Sequence, residues 1–265
     1  EISKTFRNLT KILNLSNTDF IRTTEKRHIN SVKEIWKTLE KNKNIYLSKY
    51  SGWYSISDEA FYTEDEIQDL DGVKVATQSK SKVEWIEEES YFFNLSKWQD
   101  KLLDYYKKNP NFISPKSKKN EVISFVKSGL KDLSISRKSF SWGIKVPNDS
   151  NHVIYVWLDA LTNYISALNY PDTNNDLYKK FWPASIHLIG KDILRFHAIY
   201  WPAFLMAANI PLPEKIYGHG WILSGDEKMS KSKGNILDPI NIVKTYGIDP
   251  LRYYLIKEIS FGNDG

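Results

Sequence analysis

At 265 residues with no cysteine, the chain has length for one large domain or two small ones and no means of forming disulfides, thiolate metal sites or a Cys nucleophile. Hydrophobic residues make up 41% and charged residues 26%, with nine Trp, 16 Tyr and 12 Phe, which excludes a disordered or fibrous chain and supplies a core. The net charge of +5 is compatible with a nucleic-acid partner and does not require one. Apolar runs fall short of the roughly 20 residues of a membrane span, so no membrane partner is expected. A cytoplasmic location, or an organelle interior, is the default expectation.

In chain order, Val32, Ile35, Trp36 and Leu39 share one face of a helix over 31–42. Tyr50 to Tyr54 and Phe61 to Thr63 read as short aromatic strands, and Asp71-Gly72 as a hairpin turn. Val83 to Phe93 mixes strand formers with a Glu87-Glu88-Glu89 run. Ser96-Lys97-Trp98-Gln99 reads as a capping box opening a helix through Leu102 and Tyr106, which Pro110 ends. Residues 114–120 (SPKSKKN) read as a polar loop. Beyond Gly129, His152 to Leu158 is an almost continuous apolar run, the mark of a strand buried on both faces, with Asp159 placed to cap a helix carrying Tyr164 and Leu168. Ser185 to Ile189 repeats the pattern, followed by Gly190-Lys191-Asp192 and a long helix from Ile193 to about Ala207. Strand, tight turn and helix, repeated, predict a parallel α/β sheet. Asp238-Pro239 and Asp249-Pro250 each offer a helix cap followed by Pro.

The sharpest chemical feature is Lys228-Met229-Ser230-Lys231-Ser232-Lys233-Gly234-Asn235, with Gly225 and Gly234 on either side as hinges. Ammonium and hydroxyl donors on such a loop suit a polyphosphate, whose developing negative charge they would stabilise. A generic Lys-rich loop is more often a solvated surface.

This loop resembles the KMSKS signature of class I aminoacyl-tRNA synthetases. Other segments resemble the methionyl family in particular: Tyr155 to Leu161 with Tyr164-Ile165-Ser166, His187 to Ile193 with Arg195-Phe196-His197, Tyr200 to Ala203, Phe20 to His28, and Ser136-Arg137. The resemblance runs from about Asp19 to the C-terminus. It implies an α/β fold: a partial Rossmann-like parallel sheet, an inserted α+β connective domain and a C-terminal signature-loop subdomain. The implied division is 1–43 (end of the first half of the nucleotide-binding fold), 44–130 (connective insert), 131–214 (second half) and 215–265 (signature-loop subdomain).

The resemblance further implies methionine, ATP with Mg²⁺, and tRNA(Met) as substrates and partners. Lys231 and Lys228 are the implied catalytic residues. Gly190, Asp192, His219, Lys228, Ser230 and Lys231 would meet ATP. Trp157, Ala160, Leu161, Tyr164, Phe196 and His197 would line the methionine pocket. With no Cys, the structural zinc of many members is not expected. The residues alone support part of this: Trp157, placed at a strand's carboxyl end, and Gly190, at the end of the next, aim at one crevice. Trp157 also has an ordinary core reading, and His219 a turn reading. Lys191 is open between phosphate and solvent. His187 reads as a core residue; His28 and His152 read as surface residues.

Arg137 resembles an arginine that holds the pocket's acidic residue. Leu161 stands where Pro is frequent and Leu133 where some members carry an aromatic. A His-Ile-Gly-His signature does not occur in these residues, so an internal piece of a longer enzyme, inactive by itself, is expected. A synthetase for another apolar amino acid and an inactive tRNA-binding or assembly module remain open as alternatives.

Overall fold

The computed structural model describes residues 2–57, 60–62, 64–77, 79–139, 141–224, 227–229 and 237–259. Helix α1 (Ile2–Ile12) precedes α2 (Lys26–Lys41). The apolar face read for 31–42 is buried as expected, and α2 extends it backwards to His28 and Ser31. Strands β1 (Ile45–Ser55), β2 (Ala60–Tyr62), β3 (Ile67–Leu70), β4 (Val73–Ala76) and β5 (Glu84–Phe93) follow. β3 and β4 pair with Leu70 opposite Val73, leaving the two-residue turn Asp71-Gly72 with both φ positive, at 53° and 80°. That is the conformation an Asp-Gly turn favours. β1 and β5 form a long antiparallel ribbon from Ile45 opposite Phe93 to Tyr54 opposite Glu84.

Helix α3 (Gln99–Lys108), strand β6 (Ile113–Ser114) and helix α4 (Lys116–Lys127) come next. Two expectations change here. Ser96 does not cap α3: its amide and hydroxyl both donate to Asp132, at 3.0 and 2.6 Å. The polar 114–120 stretch is not a loop: α4 starts directly after Pro115, because Val122 and Val126, beyond the polar run, bury a face that carries the preceding lysines into the helix.

Strands β7 (Leu133–Ser134), β8 (Ser136–Arg137), β9 (Lys145–Val146) and β10 (Asp149–Ile154) lead to helices α5 (Val156–Leu161), α6 (Asn163–Ser166) and α7 (Asp176–Phe181). The run His152 to Leu158 is therefore not one buried strand. β10 ends at Ile154 and pairs antiparallel with β8 and β9, and Tyr155 is the N-cap of α5. Asp159 lies inside α5 and does not cap it. Periodicity fails to mark this boundary because Val153 and Ile154 at the strand end and Leu158 and Leu161 in the helix are all buried, so one apolar run crosses it.

Strand β11 (His187–Gly190), helix α8 (Trp201–Ala207), strands β12 (Ile216–His219), β13 (Leu223–Ser224) and β14 (Glu227–Lys228), and helices α9 (Pro239–Tyr246) and α10 (Ile248–Glu258) complete the described elements. The parallel sheet runs β11-β12-β6, so its third strand comes from residues 113–114 and not from the 152–158 run. The long helix expected from Ile193 is interrupted: a 3₁₀ turn at Lys191–Ile193, then a π-turn at Phe196–Tyr200, then α8. Asp238 caps α9 through Ile240 N–H as expected, at 2.8 Å. Asp249 does not cap α10, which begins one residue earlier from Gly247 at φ +90°, a conformation glycine adopts readily. The core joins α2, α3, α5 and α8 through Trp36, Phe93, Leu102, Tyr106, Phe112, Leu158, Trp201 and Phe204.

Candidate active site

Helices α5 and α6 and the π-turn form one aromatic wall. Trp157 lies flat on Phe196, with ring centroids 3.5 Å apart and planes 10° from parallel. Both are half-buried, so the stack borders solvent-accessible space. Phe196 begins the π-turn, a widened turn of a kind often found at functional sites. Leu161 is buried in the core, and Ala160, one residue before it, is half-buried.

Tyr164 sits deeper. Its Oη lies 2.7 Å from His197 Nε2, and His197 Nδ1 lies 2.9 Å from the Ile193 carbonyl oxygen. A carbonyl only accepts, so Nδ1 carries the proton; in the neutral ring Nε2 must then accept, and Tyr164 donates. Burial lowers the His197 pKa, outweighing the opposite pull of that carbonyl, and favours this neutral form. Burial also pushes the Tyr164 hydroxyl up to about 12. Behind Tyr164, His187 stacks at 3.8 Å and accepts Trp201 Nε1–H on Nε2 at 3.3 Å. Burial, helped by repulsion from His197, drives His187 down to about 3. The core reading of His187 was therefore sound, and it supports the wall from behind.

A second group gathers at the carboxyl ends of the parallel strands. Gly190 of β11 lies beside His219 of β12. A Cβ on Gly190 would stand 2.6 Å from Asp192 Oδ1, so glycine is what lets that carboxylate fold back over the strand end. His219 donates from Nδ1 to the Gly220 carbonyl at 2.7 Å. Lys191 places Nζ 4.2 Å from the Trp221 ring centroid, a third arrangement beside the two that were open for it. Lys228 pairs through its backbone with Leu223 in the β13–β14 hairpin. Ser230 and Lys231 lie outside the described residues.

Sequence reasoning missed the polar groups under this wall. His28 and His152, read as surface residues, are fully buried. His28 Nε2 donates to Asp159 Oδ1 at 2.6 Å, and its Nδ1 lies 2.8 Å from Ser166 Oγ. It thus ties α2 to α5 and α6, the helices that carry Trp157 and Tyr164. His152 Nδ1 meets Ser136 Oγ at 2.8 Å, under the edge of Tyr91. The signal for His28 was its spacing: residues 28, 32, 35 and 39 share one helical face. Arg137 is also buried, donating to Ser134 Oγ and the Ser136 carbonyl, both at 2.7 Å, and lying over the Tyr155 ring.

A family model described as "tRNA synthetases class I (M)" matches residues 1–71 and 68–265. The chain belongs to this synthetase family. It is 60% identical over 265 residues to a methionine–tRNA ligase of Rickettsia bellii and 56% identical over 261 residues to that of Brucella suis. Those alignments cover 100% and 98% of this chain, and 51% and 50% of the relatives. The synthetase chain described here thus spans about half the length of the curated relatives it matches. Among solved structures, Mycobacterium tuberculosis methionyl-tRNA synthetase in complex with methionyl-adenylate superposes with a TM-score of 0.94 at 51% identity, covering 99% of this chain and 52% of that one. The apo form of that enzyme gives 0.87 at 48% identity. The fold is accordingly the α/β class I synthetase fold, with a parallel sheet and additional elements around it, as expected. Among the described residues no helix is long and apolar enough to cross a membrane.

Proposed function

We propose that this chain carries the amino-acid and nucleotide site of a methionine–tRNA ligase acting in the cytoplasm or an organelle interior. The observation that carries the reading is the Trp157–Phe196 stack beside the Tyr164–His197 pair. This is an aromatic wall with a single oriented hydroxyl. A thioether gains about 0.3–1.5 kcal/mol per aromatic contact, and the Tyr164 ring, whose hydroxyl proton is held by His197, offers one such contact. The named relatives and the adenylate-bound neighbour support the same assignment.

In the proposed first step, a methionine carboxylate oxygen attacks the α-phosphorus of ATP. The bond to the β-phosphate breaks and pyrophosphate leaves. In the second, a ribose hydroxyl of tRNA(Met) attacks the adenylate carbonyl and AMP leaves. Neither step needs a covalent enzyme intermediate; the protein positions the reactants and stabilises charge. Asp192 and His219 are proposed to meet the nucleotide where Gly190 opens the strand end, with Lys228, Ser230 and Lys231 on the phosphates. Mg²⁺ would accompany ATP, as it usually does with polyphosphates; among the described residues no three His, Asp or Glu side chains converge on a cation position. The proposed organisation keeps the segments 1–43, 44–130, 131–214 and 215–265, the second lending Ile113–Ser114 to the parallel sheet.

Methionine-dependent exchange of labelled pyrophosphate into ATP, measured on the full-length enzyme, tests the reading. Lys231→Ala is expected to slow exchange about 100- to 1,000-fold, the usual cost of one preorganised donor, with little change in methionine affinity. Exchange driven by another apolar amino acid in preference to methionine would defeat the assignment.

A further inference from the structure

A cavity of about 450 Å³ lies against α5. Asp159 lines it, two residues from Trp157 and therefore about 200° round the helix from the pocket side. Thr23 and Thr24, just ahead of α2, Ile29 and Lys33 on α2, and the segment from Ser141 to Lys145 form the rest of its lining.

Trp142 stands at the mouth with 76% of its surface exposed. The backbone that presents it is constrained. Gly143 has φ +127°, and a Cβ there would lie 2.5 Å from Val153 Cγ1, so β10 excludes any side chain at that position. Among the described residues the Trp142 ring has no aromatic or cationic neighbour, and Lys33 and Lys145 form no ion pair. The Asp159 carboxylate is fixed: Oδ1 accepts from buried His28, which Ser166 holds from the other side.

A flat ring free to stack, two free ammonium groups, an oriented carboxylate and three hydroxyls form a particular chemical set. The ring takes a base, the lysines take phosphate, and the carboxylate and threonines take ribose hydroxyls or an exocyclic amine. An acidic peptide would find no use for the carboxylate, and a lipid surface none for the stacked geometry. The mouth is open at Ser141, Trp142 and Gly143, all exposed, which suits one nucleotide of a strand anchored elsewhere.

We propose that this cavity holds an unpaired ribonucleotide of the RNA substrate, on the opposite side of α5 from the amino-acid pocket. The inference rests on the aminoacylation reading above. Its test compares Trp142→Ala with Trp142→Phe in the full-length enzyme. Aminoacylation kcat/KM for tRNA should fall about 10- to 100-fold in Trp142→Ala, the range of one lost base stack. That loss should exceed the loss in methionine-dependent pyrophosphate exchange at least tenfold, and Trp142→Phe should recover most of it.

Equal losses in the two assays, or an aminoacylation loss under threefold, would overturn the proposal. So would a raised KM for ATP in exchange, which would assign the cavity to a free nucleotide. Filter binding of tRNA at fixed low salt needs no catalysis. A wild-type enzyme without methionine-dependent exchange whose tRNA binding still weakened tenfold in Trp142→Ala would defeat the activity reading and keep the site.

Discussion

Two aromatic regions of this molecule look alike in sequence and differ in structure. The β1–β5 ribbon carries Trp53 edge-on to Trp85, with Lys74 over the Trp53 ring. Trp85 is 55% exposed. The wall of α5, α6, the π-turn and α8 carries Trp157, Tyr164, Phe196 and Trp201 together with two histidines. On the ribbon, the polar partners of the rings are exposed charged groups: Trp53 donates to Glu64, and Lys74 sits in solvent. In the wall, the chain from the Ile193 carbonyl through His197 to Tyr164 is closed, and Trp201 donates to His187. Aromatic content does not distinguish the buried wall from the surface ribbon. Buried polar groups whose protons have one place to go do distinguish them, because leaving any one of them unpaired costs about 1–3 kcal/mol.

The largest break in that comparison should come from Trp201→Ala. Trp201 is fully buried and supplies the donor to His187. Removing it should cost about 3–5 kcal/mol, through the cavity and the lost partner together. Urea unfolding of wild type and variant measures this; a loss under 1 kcal/mol would show that the wall repacks freely.

A smaller effect is expected from pH. His187 is neutral in the folded state because its pKa is driven down to about 3, against 6.5 unfolded. Between those values the unfolded chain binds the extra proton, so this contribution to stability is complete above pH 6.5 and is lost progressively as pH falls towards 3. From pH 7 to pH 5 the loss from this group is about 2 kcal/mol. His187→Phe, which cannot bind that proton, should show a shallower fall over the same interval. Parallel pH profiles for the two proteins would assign the titration elsewhere.

The smallest effect belongs to the ribbon. Trp85→Ala should lower stability by about 1 kcal/mol or less, the worth of one exposed edge-on pair, and leave pyrophosphate exchange intact. A drop in exchange beyond threefold would give the ribbon a role that its exposure does not indicate.

The sequence by itself carried the local structure wherever one face or one turn decided it. The α2 stripe, the Asp71-Gly72 turn and the Asp238 cap were legible because each depends on residues a few positions apart. The lysine loop and the segments around Trp157 and His197 point to the family without the fold, because their residue types and order are distinctive. What the sequence left to tertiary structure was the fate of polar and boundary residues. His28 reads as a surface residue until Asp159 and Ser166, 131 and 138 positions away, arrive to satisfy both ring nitrogens. The end of β10 at Ile154 and the π-turn at Phe196 depend on how buried faces dock, since an apolar run is equally content as strand or helix until neighbours supply its hydrogen-bond partners and its packing. Burial of a polar group is a property of pairs, and the members of these pairs meet only when the chain has folded.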